Sequence, residues 1–272
     1  MTDRIVLIGH PVGHSRSPAM MTAAFRAAGI DAAYELRDTP PRALEGTLAA
    51  LLREGVRGAN VTVPWKVATM ALVRPDGAAR ACGAVNTLVR DDCGFAGSNT
   101  DVEGFTTALA ASGASLRGAV LAVLGAGGAS RAVVAAARAG GASKVTLLAR
   151  AASRDDAAAP MVVLGTDAAH DALAEATLVV QATPCGMHGG PGVEGLLAGA
   201  RLDACRAGAV AVDLVYAPAE TAWMRAADAA GLRVLRGFGA EMLVQQGVAA
   251  VQRWFGVRPP AEPMREAVWG AH

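Results

Sequence analysis

Two residues far apart along the chain carry side chains that could exchange a proton. Lys66 follows an apolar strand that ends at Pro64, and Asp101 comes directly after Thr100. Thr100 and Glu103 have the spacing of a capping box, which predicts a helix with Asp101 in its first turn. A carboxylate there is favoured by the helix dipole and can orient an ammonium group. We predict a catalytic pair if the fold brings the two groups together, and ordinary surface and helix-start roles if it does not.

Two polar side chains interrupt the same apolar strand. Within Ala59–Val63, the side chains of Val61 and Val63 share one face, which leaves Asn60 and Thr62 on the other, because successive side chains point to opposite faces. Polar groups on one face of an apolar strand need partners, and a ligand with several hydroxyl groups would supply them. The pattern therefore predicts a binding face for a polyol.

Hydroxyl groups cluster at the start of the first predicted helix. Ser15, Ser17 and Pro18 follow the first strand. Proline suits a first helical position, and Ser17 suits the N-cap. Two hydroxyl groups at a helix N-terminus also make a good carboxylate site, since the dipole and the donors favour the same charge. A helix cap and an anion site both remain open from the sequence.

A glycine-rich turn follows the apolar strand Val120–Leu124. Gly125, Gly127 and Gly128 let the backbone turn sharply and approach a diphosphate, whose charge meets the N–H groups of the next helix. Ser130 stands where the usual dinucleotide-binding pattern has its third glycine, and it is small enough for close packing of helix and strand. The turn predicts a dinucleotide site, although a tight turn without a ligand shares the pattern.

The next strand ends at Arg150, and this end indicates which dinucleotide is bound. NAD sites usually carry Asp or Glu there to bind the ribose hydroxyls. An arginine favours a 2′-phosphate, because a guanidinium group can bind phosphate with two hydrogen bonds. Arg154 lies close by, whereas Asp155 and Asp156 keep NAD as an alternative. NADP is the cofactor that we predict, and a solvated loop arginine is the alternative role of Arg150.

These groups require a fold that brings several strand ends together. Short apolar runs alternate with Ala-rich helical stretches, which is typical of a parallel α/β protein. The predicted strands are Ile5–Ile8, Ala33–Leu36, Ala59–Val63, Thr87–Val89, Gly94–Gly97, Val120–Leu124, Val145–Ala149, Met161–Leu164, Leu178–Gln181, Val210–Leu214 and Arg233–Leu235. Predicted helices begin at Pro18, near Ala43, at Thr100 or Asp101 and after the glycine turn, and the last one covers Ala240–Trp254.

Composition excludes several classes of protein. The 272 residues are 53% hydrophobic and 18% charged, with a net charge of +1. This composition provides enough hydrophobic residues for the core of one large domain or of two modest domains. It has no charge excess of the kind that favours binding to nucleic acid or to an anionic membrane. The four cysteines form no CxxC pair, and neither a signal peptide nor an apolar run of about 18 residues is apparent. We expect a cytoplasmic protein without disulfides, a metal site or a membrane span.

Together, eight segments resemble the shikimate dehydrogenase family over nearly the whole chain. They are GHPVGHSRSP, GANVTVPWK, GAVNT, GSNTD, VLGAGGASR, QATPCGM, DLVYAP and GAEMLVQQG. The resemblance implies an α/β fold with a substrate-binding domain, residues 1–101 and 240–272, and an NADP-binding Rossmann domain, residues 102–239, with a cleft between them. It also implies reversible NADP-dependent reduction of 3-dehydroshikimate to shikimate, on the route to chorismate and the aromatic amino acids.

The resemblance implies roles for individual positions as well. Lys66 and Asp101 match the catalytic pair of the family, and Ser15 and Ser17 would bind the substrate carboxylate. The residues that would contact ring hydroxyls or the carboxylate are Asn60, Thr62, Asn86, Tyr216 and Gln246. The residues that match the cofactor site are Gly125, Ala126, Gly127, Gly128, Ala129 and Arg150, with Thr183, Met187, Val215, Gly239 and Met242 near the cofactor.

Several positions depart from the family pattern. Gln181 replaces the usual Asn before Ala-Thr-Pro, and Ala149 and Ala151 stand where the family has Asn and Thr around its arginine. A quinate or aminoshikimate dehydrogenase using NAD or NADP is therefore an alternative. A dinucleotide-binding regulator without turnover is another, although the Lys66–Asp101 pair argues against it. We expect a small-molecule substrate, no nucleic-acid partner, and a monomer or homodimer.

Overall fold

The computed structural model describes residues 2–151 and 158–270. The chain forms two compact units, one made of Met1–Gly104 with Val244–His272 and the other of Phe105–Leu243. Arg154, Asp155 and Asp156, which bear on the choice of dinucleotide, lie outside the described residues. Within those residues, no helix combines the length and the apolar character that a membrane crossing requires.

Strands and helices alternate along most of the chain, as predicted. The strands are β1 (Asp3–Gly9), β2 (Ala32–Asp38), β3 (Gly58–Val61), β4 (Arg74–Pro75), β5 (Thr87–Asp91), β6 (Gly94–Ser98), β7 (Val120–Leu124), β8 (Lys144–Ala149), β9 (Met161–Val163), β10 (Leu178–Gln181), β11 (Val210–Asp213) and β12 (Arg233–Val234). The helices are α1 (Ser17–Ala27), α2 (Leu44–Arg53), α3 (Gly77–Cys82), α4 (Asp101–Ala111), α5 (Gly128–Ala139), α6 (Asp167–Glu175), α7 (Glu194–Gly199), α8 (Ala222–Ala229), α9 (Phe238–Phe255) and α10 (Glu262–Trp269). The prediction that α9 is the last helix is wrong, because Pro259 and Pro260 interrupt the chain and α10 follows them.

The first unit contains a mixed sheet. Among the described residues its strand order is β2-β1-β3-β5-β6-β4, with β1 parallel to β3 and β5 antiparallel to both β3 and β6. Leu48 and Leu51 of α2 pack with Ile8 and Leu88 of the sheet in a buried core. Since antiparallel neighbours run in opposite directions, the ends of β1, β3 and β6 meet the start of β5 at one edge.

The second unit contains a parallel sheet. Its described strands have the order β12-β11-β10-β7-β8-β9, and every neighbouring pair is parallel. Counted from β7, this is the doubly wound order of dinucleotide-binding folds, which reverses between β7 and β10. Trp223 of α8 is fully buried in a core with Leu124, Leu148 and Leu173. The predicted α/β fold with a Rossmann domain is confirmed.

The start of α1 differs from the prediction. The helix begins at Ser17, and the side chain of its N-cap residue, Arg16, makes no capping hydrogen bond. Oγ of Ser15 accepts a hydrogen bond from the Ser17 N–H at 3.2 Å. The prediction that Ser17 is the N-cap is therefore wrong, because the hydroxyl of Ser15 already satisfies this donor of the first turn.

Strand β3 is shorter than predicted. It ends at Val61, and the Trp65 N–H donates to the Thr62 carbonyl at 2.9 Å, which closes a turn. Pro64 has no N–H with which to continue the ladder, and this explains the early end. Thr62 lies just past the end of β3, where its N–H still donates to the Ile8 carbonyl of β1 at 2.8 Å, and a face shared with Asn60 stays a prediction.

Candidate active site

Lys66 and Asp101 meet in the first unit. Lys66 lies in the turn after β3, where its carbonyl accepts a hydrogen bond from the Val85 N–H at 2.8 Å. Asp101 is the first residue of α4. Nζ of Lys66 lies 2.6 Å from Oδ2 of Asp101, and the two side chains are only 15% and 7% exposed. Low exposure strengthens the attraction between the charges, and the contact uses one of the three donors of the ammonium group.

Asn86 fixes the orientation of the Asp101 carboxylate. Nδ2 of Asn86 donates to Oδ1 of Asp101 at 2.8 Å, and Oδ1 of Asn86 accepts from the Thr100 N–H at 2.7 Å. A flip of the amide would place its NH₂ group against that N–H and its oxygen against the carboxylate, and neither contact is favourable. The Asp101 N–H donates to Oδ1 of Asn99 at 3.1 Å. The two carboxylate oxygens of Asp101 therefore have different partners, Lys66 and Asn86.

Asn60 has its hydrogen-bond partners within the protein. Its Oδ1 accepts from the Tyr34 hydroxyl at 2.8 Å, and its Nδ2 donates to the Asn86 carbonyl at 3.2 Å and to Oγ1 of Thr87 at 3.3 Å. These bonds explain how a side chain that is 6% exposed lies on an apolar strand without a ligand to bind it. A substrate contact of Asn60 stays a prediction.

The other residues predicted to bind substrate divide between the two units. Ser15 and Ser17 follow β1 and Thr62 follows β3, so the fold brings them to the sheet edge that also carries Lys66. Gln246 is buried in the part of α9 that belongs to the first unit. Tyr216 follows β11 in the second unit. The structure therefore groups four of these five positions in one unit.

The glycine-rich turn lies at the end of β7, where the strand order of the second sheet reverses. Gly125 has a φ of +112°, and a Cβ atom there would lie 3.0 Å from Cγ2 of Thr183. Both the conformation and the space therefore require glycine. Gly127 is the N-cap of α5, and among the described residues no side chain caps this helix. The first N–H groups of α5 are thus free of side-chain caps and suit an anion. The rest of the turn is Ala126, Gly128 and Ala129.

The hydroxyl of Ser130 is buried beneath this turn. Ser130 is fully buried, and its Oγ has no hydrogen-bond partner among the described residues. The same Oγ would lie 3.1 Å from a Cβ atom on Gly125, which shows how closely the helix and the turn pack. A buried polar atom without a partner is uncommon. Here it marks a turn whose polar groups the chain itself does not satisfy.

A second buried carboxylate lies at the end of β11. Asp213 accepts hydrogen bonds from Oγ1 of Thr221 at 2.6 Å, the Val215 N–H at 2.9 Å and Nε2 of Gln181 at 3.3 Å. Oε1 of Gln181 accepts from the N–H and the hydroxyl of Thr183 at 2.5 and 2.7 Å. Burial raises the pKa of Asp213 to about 6, although the bonds from Thr221 and Val215 lower it. The network ties the loop after β10 to the loop after β11.

The other residues predicted to bind cofactor also lie in the second unit. Arg150 follows β8 and is exposed, and within residues 2–151 and 158–270 its guanidinium group has no hydrogen-bond partner. Met187 is exposed and Met242 is buried. A Cβ atom on Gly239 would lie 2.7 Å from the Val215 carbonyl oxygen, so glycine allows α9 to approach the loop after β11.

Sequence reasoning missed three polar residues that support these sites. They are Thr87, Asn99 and Asp213, which belong to the segments GAVNT, GSNTD and DLVYAP. All three are almost completely buried, and buried polar groups nearly always have hydrogen-bond partners. A polar residue at the first or last position of an apolar strand is the signal that could have found Thr87 and Asp213.

Known proteins resemble the chain over nearly its full length. A family model for the shikimate dehydrogenase substrate binding domain matches residues 7–88, and one for the shikimate 5'-dehydrogenase C-terminal domain matches residues 239–268. A shikimate dehydrogenase (NADP(+)) from Symbiobacterium thermophilum is 40% identical, and the match covers 97% of this chain and 93% of that protein. The similarity therefore includes both units.

Solved structures give the same result. A shikimate 5-dehydrogenase from Thermus thermophilus, in complex with NADP(H) and shikimate, has a TM-score of 0.85 and 36% identity, and the match covers 100% of both chains. A quinate dehydrogenase from Corynebacterium glutamicum, in complex with NAD, has a TM-score of 0.82 and 33% identity, and the match covers 99% of both chains. Proteins of this fold therefore include enzymes for two related polyols.

Proposed function

The chain belongs to the shikimate dehydrogenase family, and from that premise we propose that it catalyses the reversible NADP-dependent reduction of 3-dehydroshikimate to shikimate. The observation that carries the proposal is the contact between Lys66 and Asp101, which forms a buried acid–base pair at 2.6 Å. In this proposal the first unit binds the substrate and supplies the catalytic pair, and the second unit binds the dinucleotide. The product leads toward chorismate and the aromatic amino acids.

The residues of the second unit fit a dinucleotide. The start of α5 has no side-chain cap among the described residues and suits a diphosphate, and the buried hydroxyl of Ser130 below the turn has no partner in that part of the chain. Arg150 suits the 2′-phosphate of NADP, because its exposed guanidinium group is not engaged by the described residues. The turn from Gly125 to Ala129 would hold the diphosphate. The residues that would complete the cofactor site are Thr183, Met187, Val215, Gly239 and Met242.

The catalytic pair would transfer one proton to or from the substrate oxygen. When bound, NADPH supplies the hydride that reduces the ring ketone. The ketone oxygen gains negative charge in that step, and Lys66 in its ammonium form donates a proton from Nζ to this oxygen. In the reverse direction the neutral amine accepts the proton of the hydroxyl group. Asp101 keeps Nζ in position through the contact at 2.6 Å.

The edge of the mixed sheet would bind the substrate. Ser15 and Ser17 lie at the start of α1, where hydroxyl groups and the helix dipole favour a carboxylate. Nδ2 of Asn86 already bonds Asp101, so a ring hydroxyl close to the pair would also be close to this amide. The residues proposed to contact ring hydroxyls or the carboxylate are Asn60, Thr62, Asn86, Tyr216 and Gln246.

A quinate dehydrogenase that uses NAD is the second candidate. It is favoured by the likeness to the NAD-bound quinate dehydrogenase and by the two alanines, Ala149 and Ala151, on either side of Arg150. A site built to hydrogen-bond one set of hydroxyl groups can reject an analogue strongly. The two candidates therefore differ in the rates that they predict for shikimate and quinate.

Steady-state kinetics on shikimate and quinate, each with NADP+ and NAD+, tests the proposal. We expect the highest kcat/KM for shikimate with NADP+, and we expect Arg150→Ala to raise the KM of NADP+ while leaving that of NAD+ unchanged. A higher kcat/KM for quinate with NAD+ would assign the chain to the second candidate. Dinucleotide binding without turnover of either polyol would make the protein a regulator and end the enzymatic proposal.

The proposal includes a location in the cytoplasm and a monomeric or homodimeric state. All four cysteines, Cys82, Cys93, Cys185 and Cys205, are free, which agrees with a reducing compartment. Small molecules are the partners that the proposed reaction requires, and sedimentation analysis of the purified chain would give its assembly state.

A further inference from the structure

We infer that Thr87 is a positioning residue for the catalytic pair, because its buried hydroxyl group holds the Asn86 amide that orients Asp101. The inference rests on the proposed function, since it assigns a purpose to the orientation of Asp101 relative to Lys66. Thr87 itself contacts neither Lys66 nor Asp101, so its effect must pass through Asn86.

The sheet register brings the hydroxyl of Thr87 to this position. Thr87 is the first residue of β5, and it pairs with Asn60 on β3 and with Ser98 on β6. A residue between two neighbouring strands is enclosed on both sides, and Thr87 is accordingly 0% exposed. Its Oγ1 lies 2.9 Å from Oδ1 of Asn86 and 3.0 Å from Oγ1 of Thr100.

The surrounding donors and acceptors limit the direction of these bonds, although either hydroxyl could donate in the contact between Thr87 and Thr100. A threonine hydroxyl has one proton, and Thr87 donates it to Oδ1 of Asn86 while accepting from Nδ2 of Asn60 at 3.3 Å. Oδ1 of Asn86 also accepts from the Thr100 N–H. The Thr87 hydroxyl and the Thr100 N–H thus face the oxygen of the Asn86 amide, as does the Thr100 hydroxyl at 3.2 Å, and the amide nitrogen is directed at Asp101 and at Oγ1 of Thr100.

A continuous buried chain of hydrogen bonds results. It runs from Asn60 to Thr87, then to Asn86, and ends at the carboxylate oxygen of Asp101 that does not contact Lys66. Without the hydroxyl of Thr87, one of the donors that hold the amide is lost. Asp101 then gains freedom to rotate away from the geometry that keeps the ammonium group in place, and small misplacements of catalytic groups lower rates strongly.

Replacing Thr87 by valine removes the hydroxyl and keeps the shape. We expect Thr87→Val to lower kcat for shikimate roughly 10-fold while the KM of shikimate changes less than about 2-fold. Thr87→Ser restores the hydroxyl and should keep kcat within about 2-fold of the wild type. Thr39→Val is the matched control, because Thr39 is equally buried in the same unit and, among the described residues, its hydroxyl bonds the Arg37 carbonyl and no side chain of the catalytic pair. It should leave kcat unchanged.

A double-mutant cycle separates positioning from general stability. In the background of Asn86→Ala, Thr87→Val should change kcat by less than about 2-fold, because the amide through which it acts is absent. If Thr87→Val does not fold, Thr87→Cys keeps a weaker donor at the γ position, as the sulfur analogue of Thr87→Ser, and a smaller loss of kcat in the same cycle is then expected.

Two results would overturn the inference. One is a wild-type kcat in Thr87→Val, and the other is an equal loss of kcat with and without the Asn86 side chain. Both leave the proposed function intact, since that function fails only if the wild-type chain does not turn over shikimate.

Discussion

Each unit buries an aspartate at the end of a strand, and the two aspartates have different neighbours. Asp101 follows β6 in the first unit and contacts Nζ of Lys66 at 2.6 Å and the amide of Asn86 at 2.8 Å. Asp213 ends β11 in the second unit, where two neutral side chains and a backbone N–H donate to it. Within the described ranges, no cationic side chain contacts Asp213.

The difference shows that a buried carboxylate takes its role from its partners. A neighbouring cation stabilises the charged form of an acid, whereas burial alone disfavours it. Asp101 has a cation and can hold an ammonium group for proton transfer. Burial raises the pKa of Asp213 to about 6, so this group gains and loses a proton in mildly acidic solution. Asp213 has a structural role, because its hydrogen bonds join the loops after β10 and β11.

Replacing Lys66 removes the positive charge that distinguishes the surroundings of Asp101 from those of Asp213, and we expect this change to have the largest effect on activity. Lys66→Ala leaves Asp101 buried without a positive partner, as Asp213 is, and removes the proposed proton donor. We expect kcat for shikimate to fall about 10²–10⁴-fold while the KM changes modestly. Steady-state kinetics in both directions of the reaction measures the loss.

Lys144→Ala is the control for this experiment. Lys144 is the other lysine of the chain, and it forms an exposed ion pair with Glu175 at 2.5 Å. Exposed pairs contribute little, so this variant should keep the wild-type kcat. A Lys66→Ala enzyme with half of the wild-type kcat would remove Lys66 from the mechanism.

The sequence predicts the pair of Asp101 with Lys66, but it does not predict the buried network around Asp213. The mostly apolar runs Val120–Leu124 and Leu178–Gln181 predict β7 and β10 with their observed bounds, because buried parallel strands are nearly continuous apolar segments. Lys66 and Asp101 could be paired from sequence because both stand next to recognisable ends of elements. The partners of Asp213 depend on which loops meet, and a single sequence does not contain that information.

Thr87 shows the same limit inside the first unit. Its hydroxyl reaches Asn86 because β5 lies between β3 and β6, and a pairing of strands distant in sequence is set by the whole sheet. The predicted strand Thr87–Val89 is confirmed, yet the alternation within that strand does not tell which neighbours its first hydroxyl will meet. Local patterns therefore predict elements better than they predict buried polar contacts.

The dependence of stability on pH tests the raised pKa of Asp213. The pKa of Asp213 is about 6 in the folded chain and 3.8 in its ordinary state, so between these values the folded chain binds more protons. The free energy of unfolding therefore rises as the pH falls from about 7 to about 4. The difference between the two pKa values corresponds to up to about 3 kcal/mol. Asp213→Asn should remove this rise, and urea unfolding at several pH values measures it.

The exposed Asp203 provides the control for acidification. The guanidinium group of Arg201 lowers the pKa of Asp203, so its contribution has the opposite sign and is screened by water. The stability of wild type relative to Asp203→Asn should therefore fall slightly in acid. A stability difference between wild type and Asp213→Asn that is constant from pH 7 to pH 4 would contradict the assignment of the raised pKa.

Ser130 extends the comparison to a neutral group, with the smallest expected effect. The polar atoms around Asp101 have partners, whereas the buried Oγ of Ser130 has none among the described residues. Removing an unsatisfied buried hydroxyl stabilises a protein, so Ser130→Ala should raise the free energy of unfolding of the ligand-free chain by about 1 kcal/mol. Ser112→Ala, in the same unit, removes a hydroxyl that donates to the Leu109 carbonyl at 2.6 Å, and it should lower stability instead. Equal destabilisation of both variants in urea would mean that Ser130 has a partner in the ligand-free chain, and the turn would then not be left for a ligand to complete.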